Sequence, residues 1–154
     1  MSREENKNIK FWLSAIGAPI ITAIIILIIY MVKGIYPFGT RNISYFDMAQ
    51  SMTPIYYHTY DVLHGTKNIF WDWYSAGGQS MIDTTGNFIL SPFNFFFYFV
   101  KRDMLLEAMS FFLLLKVCVS AGTMSFYIRK TYDKIGSIWH VLMGILYASC
   151  GFVV

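Results

Sequence analysis

The run Phe11–Val32 (FWLSAIGAPIITAIIILIIYMV) carries no charged residue, and it limits the folds open to this chain more than any other segment. At about 1.5 Å of rise per residue, a helix of that length covers roughly 30 Å, the thickness of a bilayer's hydrocarbon core. Lipid offers no partner to a stray backbone N–H or C=O, so a span of this kind is satisfied as a helix. Pro19 removes one donor from the middle of the run, which predicts a kink packed against another helix. Trp12 and Tyr30 lie near the two ends, where amphipathic rings favour the interface. The apolar core is too long for a cleaved signal peptide, and Lys33-Gly34-Ile35 has no small-residue cleavage pattern, so the segment reads as a retained anchor.

The rest of the chain agrees with a membrane class. Charged residues are only 14% of the total and aromatic residues 19%, too little charge to cover a soluble domain of this length. Met104–Ile128 is long enough to span, with Glu107 near one end and Lys116 near the middle. Gly136–Val154 is apolar apart from His140 and stops with no flanking charge, which predicts a third span cut short. The expected fold is an all-α integral membrane protein, the amino-terminal fragment of a larger polytopic helical bundle, and inactive by itself. Its expected organisation is a cytoplasmic tail (1–10), a first span (11–32), an extracytoplasmic helical loop (33–103), a second span (104–128), a cytoplasmic loop (129–135) and a truncated third span (136–154).

Charge sets the expected orientation. Arg3, Lys7 and Lys10 precede the first span, and Arg129, Lys130 and Lys134 lie between the second and third, so both flanks belong in the cytoplasm. The long loop has five basic and five acidic residues and balances to zero. A multi-pass protein of the plasma membrane with a cytoplasmic N-terminus follows. The basic residues form no single patch, which argues against a nucleic-acid partner. Cys118 and Cys150 fall within spans and read as small apolar residues.

In the outer loop, Gly34–Asn42 reads as an irregular exit and Tyr45–His64 as a helix ended by Gly65. At 100° per residue, Asp47, Gln50, Ser51, Pro54, His58 and Asp61 fall within about an 80° wedge, and Pro54 should bend the helix. Ser44-Tyr45-Phe46-Asp47 fits a capping box, with Asp47 bonding back to Ser44. Asp61 lies about 20 Å along the axis from Asp47, so the two are not a carboxylate pair, and His58 and Asp61 read as a solvated face. Phe70-Trp71-Asp72-Trp73-Tyr74 before Gly77-Gly78 suits either a surface among lipid headgroups or a platform for a sugar ring. Phe88–Val100 is apolar but too short to span, and predicts an interfacial or re-entrant helix near 91–100 with Ser91 as N-cap and Pro92 in its first turn. Lys101-Arg102 marks the interface before the second span.

In chain order, Asp47-x-x-Gln50-x-x-x-Pro54, Gly65, Trp71-x-Trp73 with its Gly-Gly turn, Ser91-Pro92-Phe93-Asn94, Leu115-Lys116 and Tyr147-Ala148-x-x-Gly151-Phe152 resemble the amino-terminal part of the YfhO family of bacterial membrane proteins. The resemblance covers nearly the whole chain after the first span. That family is similar to the GT-C glycosyltransferases, which take sugars from polyprenyl-phosphate donors. The chain departs from it at Ala76-Gly77-Gly78, where a Gly-Leu-Gly type of turn is common, and at Phe88-Ile89, where paired tyrosines are common. The resemblance implies a GT-C-like fold and a catalytic carboxylate just after the first span, a place held here by Asp47.

Transfer to a hydroxyl needs a base for the acceptor's proton and stabilisation of the departing phosphate. Asp47 is the expected base, alone or beside a divalent cation that it would ligate. The capping role for Asp47 stands beside this one. Gln50 is one turn away and suits orienting Asp47 or binding a sugar hydroxyl. Arg41 and Lys67 suit a donor phosphate, Trp71 and Trp73 a sugar ring, and each also suits a lipid surface. Lys116 is costly in mid-span unless paired, and Glu107 is not its helical partner, since nine residues place them on opposite faces about 13 Å apart. Lys116 suits either an unseen counter-charge or a donor phosphate. The expected partners are membrane lipid, a polyprenyl-phosphate sugar donor and an envelope polymer or lipid acceptor. The rival reading is a non-catalytic transporter, flippase or assembly component, disfavoured because the polar cluster lies outside the membrane rather than on broken helices at mid-depth.

Overall fold

The computed structural model describes residues 3–73, 77–82, 91–132 and 134–150. Tyr74, Ser75 and Ala76 of the aromatic turn, the Phe88–Leu90 start of the apolar stretch, and residues 151–154 of the expected third span lie outside that set. The α-helices bounded within the described residues are α1 (Arg3–Lys33), α2 (Thr53–Leu63), α3 (Leu105–Thr131) and α4 (Ser137–Ala148). Trp71–Asp72 (β1) and Gln79–Ser80 (β2) add a short antiparallel ribbon to the expected all-helical loop, with Trp71 opposite Ser80 and Asp72 opposite Gln79. Among the described residues two helices are long and apolar enough to cross a membrane, over Ala15–Lys33 and Arg102–Thr131, while Ser137–Ala148 is apolar but short.

The chain divides into two compact units, Met1–Gly34 with Leu113–Val154, and Ile35–Phe112. In the first, α1 begins well before Phe11 and runs unbroken through Pro19. A core of Ala18, Val117, Ala121 and Ala148 is flanked by Ile26, Leu113 and Val141. Small residues let these helices approach closely, as they must where lipid removes any hydrophobic drive toward association. A Cβ on Gly144 would stand 2.6 Å from the Ala121 carbonyl oxygen and 3.2 Å from the Ala18 Cβ. Pro19 lies against α3 at Gly122, where a Cβ would meet the proline Cγ at 3.4 Å. The isoleucines Ile20, Ile24 and Ile28 of α1 are exposed, as a lipid-facing surface would be. Tyr30, near the end of the first span, is buried against the protein. His140 is also buried, and its Nε2 donates to the Tyr132 carbonyl across the α3–α4 connection.

The second unit packs aromatic rings. Phe97, Leu105 and Met109 form its core, with Tyr56, Tyr60 and Phe112 against them. Tyr56 and Phe112 meet the Phe97 ring at centroid distances of 5.3 and 4.8 Å. The expected helix near 91–100 is a 3-10 helix, Pro92–Phe99, with Pro92 in its first turn and no side-chain bond from Ser91 to cap it.

The expected helix Tyr45–His64 is two pieces. Pro54 has no N–H, and its ring crowds the Gln50 carbonyl, so an α-helix is not continuous there. The chain answers with a π-helical turn, Met48–Met52, before α2 starts with Pro54 in its first turn. Both the N–H and the hydroxyl of Thr53 donate to the Met48 carbonyl oxygen, closing the widened turn. One inserted residue rotates everything before it by about 100°. Asp47 and Gln50 therefore leave the face shared by His58 and Asp61, and the single polar wedge does not form. At the other end, Gly65 (φ 72°) caps α2 as expected. Its N–H bonds the Val62 carbonyl and that of Thr66 bonds the Asp61 carbonyl, the paired pattern of a Schellman ending.

Candidate functional site

Asp47 is exposed, and the capping box is absent. The Ser44 N–H that Asp47 would accept is already held by Asn42 Oδ1 at 3.0 Å. The Thr53 hydroxyl spends its proton on Met48 O, so the Ser44 hydroxyl donates to Thr53 Oγ1, 2.6 Å away. Among the described residues nothing is bonded to the Asp47 carboxylate. The residue before it, Phe46, has φ 47° and is 87% exposed. A bulky side chain in the left-handed region is an outlier, and such strain concentrates at functional positions. Gln50 and Arg41 are exposed too. Lys116 is half-buried on α3, in the other unit. No group of three or more His, Cys, Asp or Glu gathers around Asp47 or elsewhere among the described residues.

Lys67, Trp71 and Trp73 come together. They line a hollow of about 180 Å³ with His58, Asn68 and Asp72. The indoles of Trp71 and Trp73 meet edge to face with centroids 5.6 Å apart. Gly78 (φ 115°) is required beneath them, because a Cβ there would stand 3.1 Å from Trp71 and 3.2 Å from Trp73. His58 and Asp61, read as a solvated face, are both buried. The Nε2 of His58 donates to the Asn68 carbonyl at 3.0 Å, and its Nδ1 faces Asp72 Oδ2 at 3.7 Å.

Asp61 is an anchor. Arg102 Nε donates to its Oδ1 at 3.0 Å and Nη2 to its Oδ2 at 3.4 Å, with Lys67 Nζ 3.6 Å from Oδ2. The Arg102 guanidinium also lies over the Tyr57 ring at 5.2 Å. The hydrogen bond from Arg102, reinforced by the charges of Arg102 and Lys67, holds the Asp61 carboxyl below its ordinary pKa against the opposing effect of burial. A carboxylate in the last turn of a helix opposes the helix dipole, and the two cations offset that. Arg102 is thus a tie to α2 rather than only an interfacial marker. Residue spacing gave no sign of this pairing, since forty-one positions separate Asp61 from Arg102.

A second cavity, an apolar groove of about 540 Å³, is lined by Tyr36, Phe96, Phe99, Met104, Phe111 and Phe112, with Lys101 and Glu107 on its wall. Glu107 Oε2 is buried there with no hydrogen-bond partner.

The model of a family described as bacterial membrane protein YfhO matches residues 18–154 of the chain. No curated protein and no solved structure matches it.

Proposed function

The chain belongs to the YfhO family of bacterial membrane proteins, and from that premise we propose that it forms part of a polytopic, GT-C-like membrane glycosyltransferase. The enzyme would move a sugar from a polyprenyl-phosphate donor to an envelope polymer or lipid on the outer face. Asp47 is the base that takes the acceptor's proton, and the observation that carries this role is its freedom: the carboxylate is exposed and its capping partners are engaged elsewhere. The strained Phe46 beside it adds support. Arg41 and Gln50, exposed on the same stretch, are placed by sequence to meet the phosphate and a sugar hydroxyl. Lys67, Trp71 and Trp73 supply a polar and aromatic surface for the sugar. The apolar groove suits an isoprenoid chain, being lined mostly by rings and methylenes, with the Lys101 cation and the Glu107 carboxylate on its wall.

The same groove also suits a lipid carrier that transfers nothing, and Asp47→Asn in the complete protein separates the two. Sugar transfer measured in membranes should fall by about 10²-fold or more, the scale of a general base, with expression unchanged. Transfer at the normal rate would reject the catalytic reading and leave the carrier.

A further inference from the structure

We propose that the hollow between α2 and the β1–β2 ribbon is a binding site for one neutral, hydroxyl-bearing ring, with His58 and Asp72 as its polar floor. His58 is 4% exposed and Asp72 6%. Because the Asn68 carbonyl can only accept, the proton of a neutral His58 sits on Nε2. Nδ1 is then a bare acceptor, and it has no hydrogen-bond partner. Facing it at 3.7 Å is a carboxylate oxygen, another acceptor. Were Nδ1 protonated instead, that separation is too long for a hydrogen bond to Asp72. Either way the Nδ1 of His58, on the wall of the hollow, lacks a hydrogen-bond partner. A hydroxyl donating to Nδ1 supplies it, and an orphaned buried acceptor otherwise costs about 1–3 kcal/mol.

The other walls narrow the chemistry. Trp71 and Trp73 present aromatic faces suited to the C–H face of a saturated ring. Lys67, on the same wall, can donate to a ring or hydroxyl oxygen and disfavours a cationic guest. At about 30 Å³ per water, the hollow holds roughly six waters, the room of a single sugar ring rather than a disaccharide. His140 serves as an internal contrast. Its Nδ1 is also orphaned, yet neither of the hollows described here includes it, so an orphan alone does not make a site.

The inference deepens the sugar-transfer reading and rests on it for the class of ring, but binding is read without any donor, so failure of transfer leaves the test intact. Saturation-transfer difference NMR on the full chain in lipid nanodiscs, with methyl glucopyranoside, methyl galactopyranoside and methyl N-acetylglucosaminide as probes, decides it. Ring protons of at least one probe should receive saturation. The signal should fall fivefold or more in Trp73→Ala and in His58→Phe, and persist in Ile24→Ala, an exposed position on α1. Trp73 is 74% exposed, so its variant keeps the test valid if the buried His58 change prevents folding. No transfer to any pyranoside, transfer that survives in the Trp73 variant, or saturation of tetramethylammonium in place of the sugars would each overturn the proposal.

Discussion

Within Met1–Gly34 and Leu113–Val154 the helices meet through alanine and glycine; within Ile35–Phe112 the contacts are rings, carboxylates and a guanidinium. The difference follows from the solvent each composition suits. Lipid competes as well as leucine for an apolar surface, so helices in it gain by approaching until backbones nearly touch. A segment meant for water has the hydrophobic effect available and adds polar ties to fix its register. One unit should therefore be sensitive to added volume and indifferent to salt and pH, and the other the reverse.

The largest effect tests the first half of that contrast. Gly144→Leu puts atoms where even a Cβ meets a backbone oxygen at 2.6 Å, and neither α3 nor α4 can relieve it with a rotamer change. Destabilisation of about 3 kcal/mol, the upper end for overpacking, is expected in detergent unfolding, unchanged between low and high salt. A loss well under 1 kcal/mol would mean the small-residue contact is not what joins these helices.

Asp61→Asn tests the other half. It removes the acceptor shared by Arg102 and Lys67, and about 2 kcal/mol should be lost, less at high salt because the Arg102 side chain is 56% exposed. The folded-state pKa of Asp61 lies below its ordinary value of 3.8. Its contribution is thus complete above that value and disappears as pH falls through the lower folded-state pKa. A stability profile against pH should lose this acid limb in the variant. An unaltered profile would detach the ion pair from the stability of the unit.

The two units were unequally legible. A span such as α1 is written in consecutive residues, so its uncharged run could be read directly, and Gly65 announced the end of α2 by the same local logic. Asp61 and His58 were misread because their partners, Arg102 and Asp72, are distant in sequence and no periodicity connects them. Asp47 shows a subtler failure. Its spacing to Ser44 is right for a capping box, but Asn42 and Thr53 compete for the same groups, and the π turn before Pro54 rotates it off the expected face. Local pattern gave the elements; competition between hydrogen-bond partners decided the site. Lys67, Trp71 and Trp73 were recognisable by residue type, whereas the hollow that joins them depends on a ribbon too short to leave a pattern.

That ribbon gives a smaller and more local effect. Gly78→Ala forces a side chain into φ 115° and against both indoles. A cost of about 1 kcal/mol is expected, seen as faster amide exchange at Asp72 and Gln79 while the α2 amides stay protected. Equal loss of protection in α2 would show that the ribbon and the helix unfold as one.

The smallest change in stability should accompany the largest change in chemistry. Asp47 is exposed and bonded to no described residue, so Asp47→Asn removes no packing and no ion pair. Surface substitutions of this kind stay within about 0.5 kcal/mol, and the thermal midpoint of the variant should match that of the parent at neutral pH. A carboxylate that holds the fold shows itself as Asp61 does, by a loss of stability; one kept for a substrate is silent until the substrate is present. If Asp47→Asn unfolds as readily as Asp61→Asn, position 47 belongs with the ties that hold the Ile35–Phe112 unit together, and its strained neighbour Phe46 would then be explained by the entry into the π turn alone.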